Sequence, residues 1–274
     1  MNAPAVHVIR PVRGFAGFRL QELWRYRELL AFLTWRNILV RYKQTALGIA
    51  WAVLQPLFLM VVLTLFFGSF AKRGGIPGPI FFYAGLVPWT FFANAVTQSS
   101  NSLVGNANLI SKVYFPRLTA PIASVLAALV DFAAAFSVLL VLMLAYDTYP
   151  STWAVAMLPA LLLLAIVTAL GVGLWFSALN VAYRDVQFVI PFLLQIGLFA
   201  SAVAFSTANV SEPWRTLLGL NPMATVVQGF RWALLDAQPG PGWMAVLSIP
   251  VALALLASGA VYFRQLERTF ADVI

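Results

Sequence analysis

Cysteine is absent from the 274-residue sequence and histidine occurs once, as His7 near the N-terminus. A disulfide framework, a thiolate metal site and a cysteine nucleophile are therefore excluded, and a zinc cluster or histidine-based triad lacks its members. No metal and no cofactor is expected in this chain. Charge is scarce too: Asp, Glu, Lys and Arg make up 9% of the residues and apolar types 62%, whereas an ordinary soluble domain carries about 25% charged residues. A soluble globular protein is excluded. The chain also lacks a G-x-x-x-x-G-K-[ST] run, so it has no loop of backbone amides with which to cradle ATP phosphates. Residues 1–20 hold Arg10, Arg13 and Arg19 but no apolar core, and no cleaved signal peptide is expected.

What the sequence does have is long stretches without charge. Uncharged runs of 28, 38, 36, 26 and 27 residues lie between Lys43 and Lys72, Arg73 and Lys112, Asp147 and Arg184, Asp185 and Glu212, and Asp236 and Arg264. Each has room for one membrane-crossing helix of about 20 residues. The run from Arg117 to Asp147 is broken only by Asp131, and its flanks are apolar enough to span regardless. The expectation is an all-α integral membrane protein with six transmembrane helices, near 48–70, 80–100, 119–146, 154–178, 186–206 and 243–263.

With both termini on one side, that side collects thirteen of the 17 Lys and Arg residues and the other holds Lys72, Arg73, Arg215 and Arg231. The positive-inside rule then places both termini in the cytoplasm. The net charge of +8 is topological, and nucleic-acid binding loses its main support.

Residues 21–44 are helical by composition but too charged to span. Arg25, Arg36 and Lys43 share a stripe, Leu29, Leu30, Leu33 and Val40 another, and Arg27 and Arg41 blur the division. This reads as an interfacial helix on the cytoplasmic leaflet with Trp24, Tyr26 and Trp35 at headgroup level, or as an ordinary basic flank. Between the fifth and sixth spans, Ser211 to Leu218 and Pro222 to Leu235 suit two helices, the second capped by Asn221. At about 12 and 21 Å they are too short to cross, so they dip into the outer leaflet or lie on it. The sequence thus divides into a tail (1–20), the interfacial helix (21–44), the six-span domain (45–264) and a second tail (265–274).

No half of the chain repeats the other, which counts against inverted-repeat transporters. Within the spans Asp131 stands alone, without a row of acids for ion coupling or an intramembrane Lys or Arg as partner. It is either a functional position or a structural hydrogen-bonding group. An external energy source is expected, and if ATP drives transport a separate subunit must bind it and dock on a cytoplasmic segment, because the chain has no P-loop. The segment 106–117, NANLISKVYFPR, is the best candidate, because Leu109, Val113, Tyr114 and Phe115 beside Lys112 are unusually apolar for a short loop. Arg184, in the second cytoplasmic loop, either braces that segment or simply ends a span.

Several motifs carry a resemblance: RYKQTALG (41–48) with Trp51 and Gln55-Pro56, YAGLVPWTFF (83–92), NLISKVYFPR (108–117), NVAYRDV (180–186), PFLLQ (191–195) and NPMATVVQGFRWALL (221–235). Together, over about residues 28–265, they resemble the membrane subunit of ABC-2 type polysaccharide exporters, which carry O-antigen, capsular polysaccharide or teichoic acid. The resemblance implies a homodimer in the bacterial inner membrane, a partner P-loop ATPase that binds ATP and Mg, and a polyprenyl-diphosphate-linked glycan as cargo. It further implies a gate helix at the N-terminus, a coupling helix over about 106–116 and a re-entrant region over about 207–236. In this scheme Arg25, Arg36, Arg41 and Lys43 meet the lipid diphosphate, for which arginine is well suited. One departure stands out: Ala202 and Phe205 occupy positions where the family usually has Pro and Tyr.

For the polymer path, Trp51, Gln55, Phe58 and Phe66 on span 1 and Tyr83, Trp89 and Phe92 on span 2 form the candidate ladder. Aromatic faces hold sugar rings weakly at many places and let them slide, and weak binding at many sites is what conduction requires. The same aromatics also suit a lipid-facing belt or a packing core. Two alternatives remain: an ABC-2 drug or lipid exporter, and an integral-membrane glycan enzyme, which the shortage of acidic residues opposes.

Overall fold

A computed structural model describes residues 24–43, 45, 48–71, 76–110, 112, 115–150, 155–207, 210–235 and 240–267. The expectations for the two tails up to residue 23 and from residue 268, and for Val113 and Tyr114, lie outside the described residues. Among those described, the secondary structure is helical: α1 (Arg27–Tyr42), α2 (Ala50–Ala71), α3 (Gly78–Asn101), the short α4 (Ala107–Ile110), α5 (Thr119–Ala145), α6 (Leu158–Ala182), α7 (Val186–Ala200), α8 (Trp214–Gly219), α9 (Pro222–Leu235) and α10 (Trp243–Glu267). Five helices are long and apolar enough to cross a membrane, namely α2, α3, α5, α6 and α10. The fifth expected span is shorter than the 186–206 read from the sequence, because α7 ends at Ala200. Its 15 residues reach about 22 Å against a hydrocarbon core of about 30 Å.

The reason α7 stops early lies in its last turn. The Val203 N–H donates to Leu198 O (3.4 Å) and the Ala202 N–H to Phe199 O (3.1 Å), the paired bonds of a Schellman motif. Ala202 sits at its left-handed position with φ 56°, where glycine is the usual residue. The end of α5 closes the same way around Asp147 (φ 50°), a residue type that tolerates this conformation.

α3 forms the centre. Every residue from Ile80 to Trp89 is buried, as a helix that is apolar on all faces requires, and α2, α5, α6 and α9 pack around it. The most extensive helix pair is α6 with α10, and small residues make it possible. A Cβ on Gly259 would stand 2.5 Å from Gly171 O, and one on Gly171 would stand 2.7 Å from Leu256 N; two backbones touch here, as at many membrane helix crossings. One turn along, Trp175 stacks on Tyr262 with centroids 4.3 Å apart and donates its indole N–H to Ser258 Oγ (3.1 Å). Several hydroxyls in the spans are satisfied locally. Thr64, Thr90, Thr97 and Thr168 each donate to the carbonyl four residues earlier, which pairs these hydroxyls within their own helices; the buried hydroxyls of Ser99 and Ser177 have no such partner.

Gly259→Leu should therefore separate α6 from α10 and destabilise the fold by about 2–3 kcal/mol. Tryptophan-fluorescence melting in detergent would register it as a clear fall in Tm, and an unchanged Tm would refute the backbone contact.

Candidate functional site

α1 does not lie flat across the end of the bundle. Leu33 packs on Ala123, Asn37 donates to Ser124 Oγ (3.5 Å), and Arg41 and Tyr42 both reach Asp131. Its axis therefore climbs alongside the first half of α5. Asp131 is twelve residues beyond the first residue of α5, about 18 Å up the helix at 1.5 Å per residue. The expectation that Asp131 lacks a cationic partner is corrected here: Arg41 forms a salt bridge to Oδ2 and the Tyr42 hydroxyl donates to Oδ1. Sequence spacing failed because the partner lies ninety residues earlier, in a helix read as interfacial. Arg36 is likewise engaged, with the side-chain oxygens of Asn106 and Asn37. Arg25 and Lys43 are exposed. Val40, expected on the apolar stripe, faces outward.

The connector between α3 and α5 is a 3-10 turn at Val104–Asn106 followed by α4. Lys112 is exposed and Leu109 half-buried, but Phe115 is turned inward. It packs with Leu33 and Ala123, with Leu29, Leu30 and Leu109 around them, so it belongs to the seat of α1 and is not open to a docking partner. Arg184, between α6 and α7, is exposed.

The expected aromatic ladder divides. Trp51, Gln55, Phe58 and Phe66 are all exposed along α2. Tyr83 is fully buried in α3 and donates its hydroxyl to Ala135 O at 3.3 Å. A second protomer removes surface and never adds it, so Tyr83 is out of position for a lumen in this conformation. Trp89 and Phe92 are buried as well, and line a cavity of about 200 Å³ shared with Phe176, Gly197, Ser201 and Asn221. A second exposed row went unread in the sequence: Phe188, Phe192, Gln195 and Phe199 on α7, whose spacing of 4, 3 and 4 marks one helical face.

Both short helices form, and α9 is enclosed by protein. Apart from Trp232, its residues from Pro222 to Leu235 are buried, between α3, α6 and α10. Asn221 caps it as expected, accepting the Met223 N–H at 3.0 Å, and its amide donates to Ala200 O (3.1 Å) and Ser201 Oγ (3.0 Å). Arg231, counted above as a loop cation, is 0% exposed. Its Nε donates to Phe81 O (3.1 Å), Nη1 to Ala202 O (2.8 Å) and Phe205 O (3.0 Å), and Nη2 to Val203 O. The guanidinium carbon stands 3.8 Å over the Phe81 ring centre, a cation–π contact in a desolvated site. A Cβ on Gly85 would come within 2.6 Å of Nη2, so glycine there makes room for the clamp. The two positions that depart from the usual family residues, Ala202 and Phe205, both offer carbonyls to Arg231.

Fold and site together define a multi-pass helical membrane protein. The chain belongs to the ABC-2 type transporter family, which it matches over residues 28–235. It is 32% identical to the O-antigen export system permease protein RfbA of Myxococcus xanthus over 263 residues, covering 93% of this chain and 98% of that protein. It is 26% identical to the protein of the same name from Klebsiella pneumoniae, covering 90% and 95%, and 24% identical to the polysialic acid transport protein KpsM of Escherichia coli, covering 92% and 96%.

Two outcomes follow from the arginine clamp. Arg231→Met leaves four carbonyls without their donor and should cost on the order of 3–5 kcal/mol; Gly85→Ala should reproduce part of that loss by displacing the guanidinium. Ala202→Gly should instead stabilise by about 0.5–1 kcal/mol, since glycine relieves the left-handed residue. Thermal unfolding in detergent ranks all three, and a destabilised Ala202→Gly would refute the account of the turn.

Proposed function

We propose that this chain is the permease subunit of an ATP-driven exporter that moves a lipid-linked polysaccharide of the O-antigen type across the bacterial inner membrane. The observation that carries the reading is the pair of exposed aromatic rows, each interrupted by an amide: Trp51, Gln55, Phe58 and Phe66 on α2, and Phe188, Phe192, Gln195 and Phe199 on α7. A primary amide facing hydrocarbon is costly, whereas an amide among aromatic rings suits a sugar polymer that needs both apolar faces and hydrogen bonds. The near end-to-end likeness to permeases named for O-antigen export points the same way.

Two copies of the chain about a two-fold axis enclose the path, with α2 and α7 of each facing it. The end that carries α1 is cytoplasmic. Thirteen Lys and Arg residues belong to it and, with Arg231 withdrawn into the core, three remain for the other side. ATP and Mg are bound by a separate ATPase, which docks on Leu109, Lys112, Val113, Tyr114 and Arg184. Phe115 acts behind that surface by seating α1. Closure of the ATPase on ATP shifts α2 relative to α7 and widens the path. Exposed Arg25 and Lys43 attract the diphosphate of the cargo to α1.

Co-expressed with its ATPase in a strain without its own exporter, the chain should restore surface polysaccharide. Trp51→Ala with Phe58→Ala should lower that export several-fold while permease and ATPase still co-purify. Lys112→Glu should cut co-purification about tenfold. ATPase stimulation by a small amphipathic drug without glycan export would overturn the reading in favour of a drug exporter.

A further inference from the structure

α7 has two faces of different character. Phe188, Phe192, Gln195 and Phe199 turn outward along one. At about 100° per residue, Leu193, Leu194 and Gly197, with Ser201 just past the helix end, fall on the opposite side. That second face borders the cavity of about 200 Å³ against α3 and α6. Glycine at 197 brings the cavity wall in close, since a Cβ there would stand 2.8 Å from Cη2 of Trp89.

The cavity has a polar end and an apolar end. α3 starts at Gly78 on the side away from α1, because its last residue, Asn101, leads into the connector whose Asn106 holds Arg36. Ser201 lies near that start: its neighbours Ala202 and Val203 share Arg231 with Phe81. Trp89 is eight residues beyond Phe81, about 12 Å deeper at 1.5 Å per residue, and Phe92 is deeper still. With Phe176 of α6 they furnish the deep end with rings. At the shallow end the Asn221 amide is spent on Ala200 O and Ser201 Oγ, and its oxygen on the Met223 N–H. The Ser201 hydroxyl proton is left without an acceptor among the described residues.

The mouth opens sideways at hydrocarbon depth. Ser201 and Met223 close the shallow end and are buried, whereas Leu193, eight residues before Ser201, is 43% exposed, and Phe176 and Leu194 are half-buried. Entry is therefore between α6 and α7, on the side turned away from the exposed aromatic row. A cavity of about 150 Å³ holds a benzene molecule, so one of about 200 Å³ suits a segment of about eight carbons. A sugar ring bears an oxygen on nearly every carbon and would meet a single free donor here, leaving the others unpaired. An ester-linked acyl chain has one acceptor at its head and only methylenes below it, the order in which the cavity presents its two ends.

We propose that this cavity binds one acyl chain of a membrane phospholipid from the leaflet opposite α1, its ester carbonyl accepting from Ser201 and its chain lying among Trp89, Phe92 and Phe176. The chain completes the packing of α7 against α3 and α6, so the helix that borders the proposed path rests on lipid along its other side. The site stands on the cavity and the membrane fold, and does not depend on what the path carries.

Trp89 is 4% exposed, which shields it from the surrounding bilayer. Bromine on an acyl chain quenches tryptophan on contact, so a brominated phospholipid reaches this indole only from within the cavity. With the full chain in nanodiscs, the difference between wild type and Trp89→Phe isolates the emission of Trp89 from that of the other tryptophans. Phosphatidylcholine brominated near mid-chain should quench that component about twofold, and more than the same lipid brominated next to the ester. Absence of quenching overturns the site, and the reverse order overturns the head-outward placement. Val172→Phe and Leu194→Phe fill the cavity from its two walls and should each abolish the quenching while the protein still melts cooperatively. Quenching that persists in a filled, folded variant means that the bromines act from outside, and overturns the proposal. Relief of the wild-type quenching by free glucose would overturn the acyl chain in favour of a sugar.

Discussion

The guanidinium of Arg231 ties three parts of the chain together, and the architecture of the bundle end opposite α1 depends on it. A buried cation needs acceptors, and here they are backbone carbonyls: one from α3 and three from the segment just past α7. Those carbonyls are available because α7 has stopped and its chain has turned through Ala202. A longer α7 would bury them in its own helical ladder. The short seventh helix, the immersed α9 and the glycine at position 85 are thus one arrangement seen from three sides.

The other end of the molecule obeys the same constraint with a different outcome. Asp131 is nearly buried, and its partners come from a helix that is otherwise seated on the bundle through Leu33 and Phe115. A charge pair inside an apolar bundle is costly to leave half-made, so α1 is drawn up along α5. The cation stays partly open while the acid is closed in. One cation is therefore closed in among four carbonyls, and the other stays partly open beside a single carboxylate.

Between these ends the bundle is organised around α3. Its burial on every side removes Tyr83, Trp89 and Phe92 from any surface, and the exposed aromatic character passes to α2 and α7. These two helices owe their open faces to position: both lie at the rim of the α3, α5, α6 and α10 core. An aromatic-rich outer face interrupted by an amide is the surface on which the proposed polymer path rests.

Charge-free run lengths were enough to locate five spanning helices within a few residues, because a membrane helix needs only length and apolarity, both local properties. The cap at Asn221 and the two short helices beyond α7 were legible for the same reason. The end of α7 was not, since nothing in AVAFS announces a turn whose carbonyls are claimed by Arg231, some thirty residues on. Nor were the partner of Asp131, the inward turn of Phe115 or the division of the aromatics between core and rim. Periodicity tells which residues share a face of one helix; which neighbour that face meets is decided by packing, and here two charges seeking partners across the fold decided much of it.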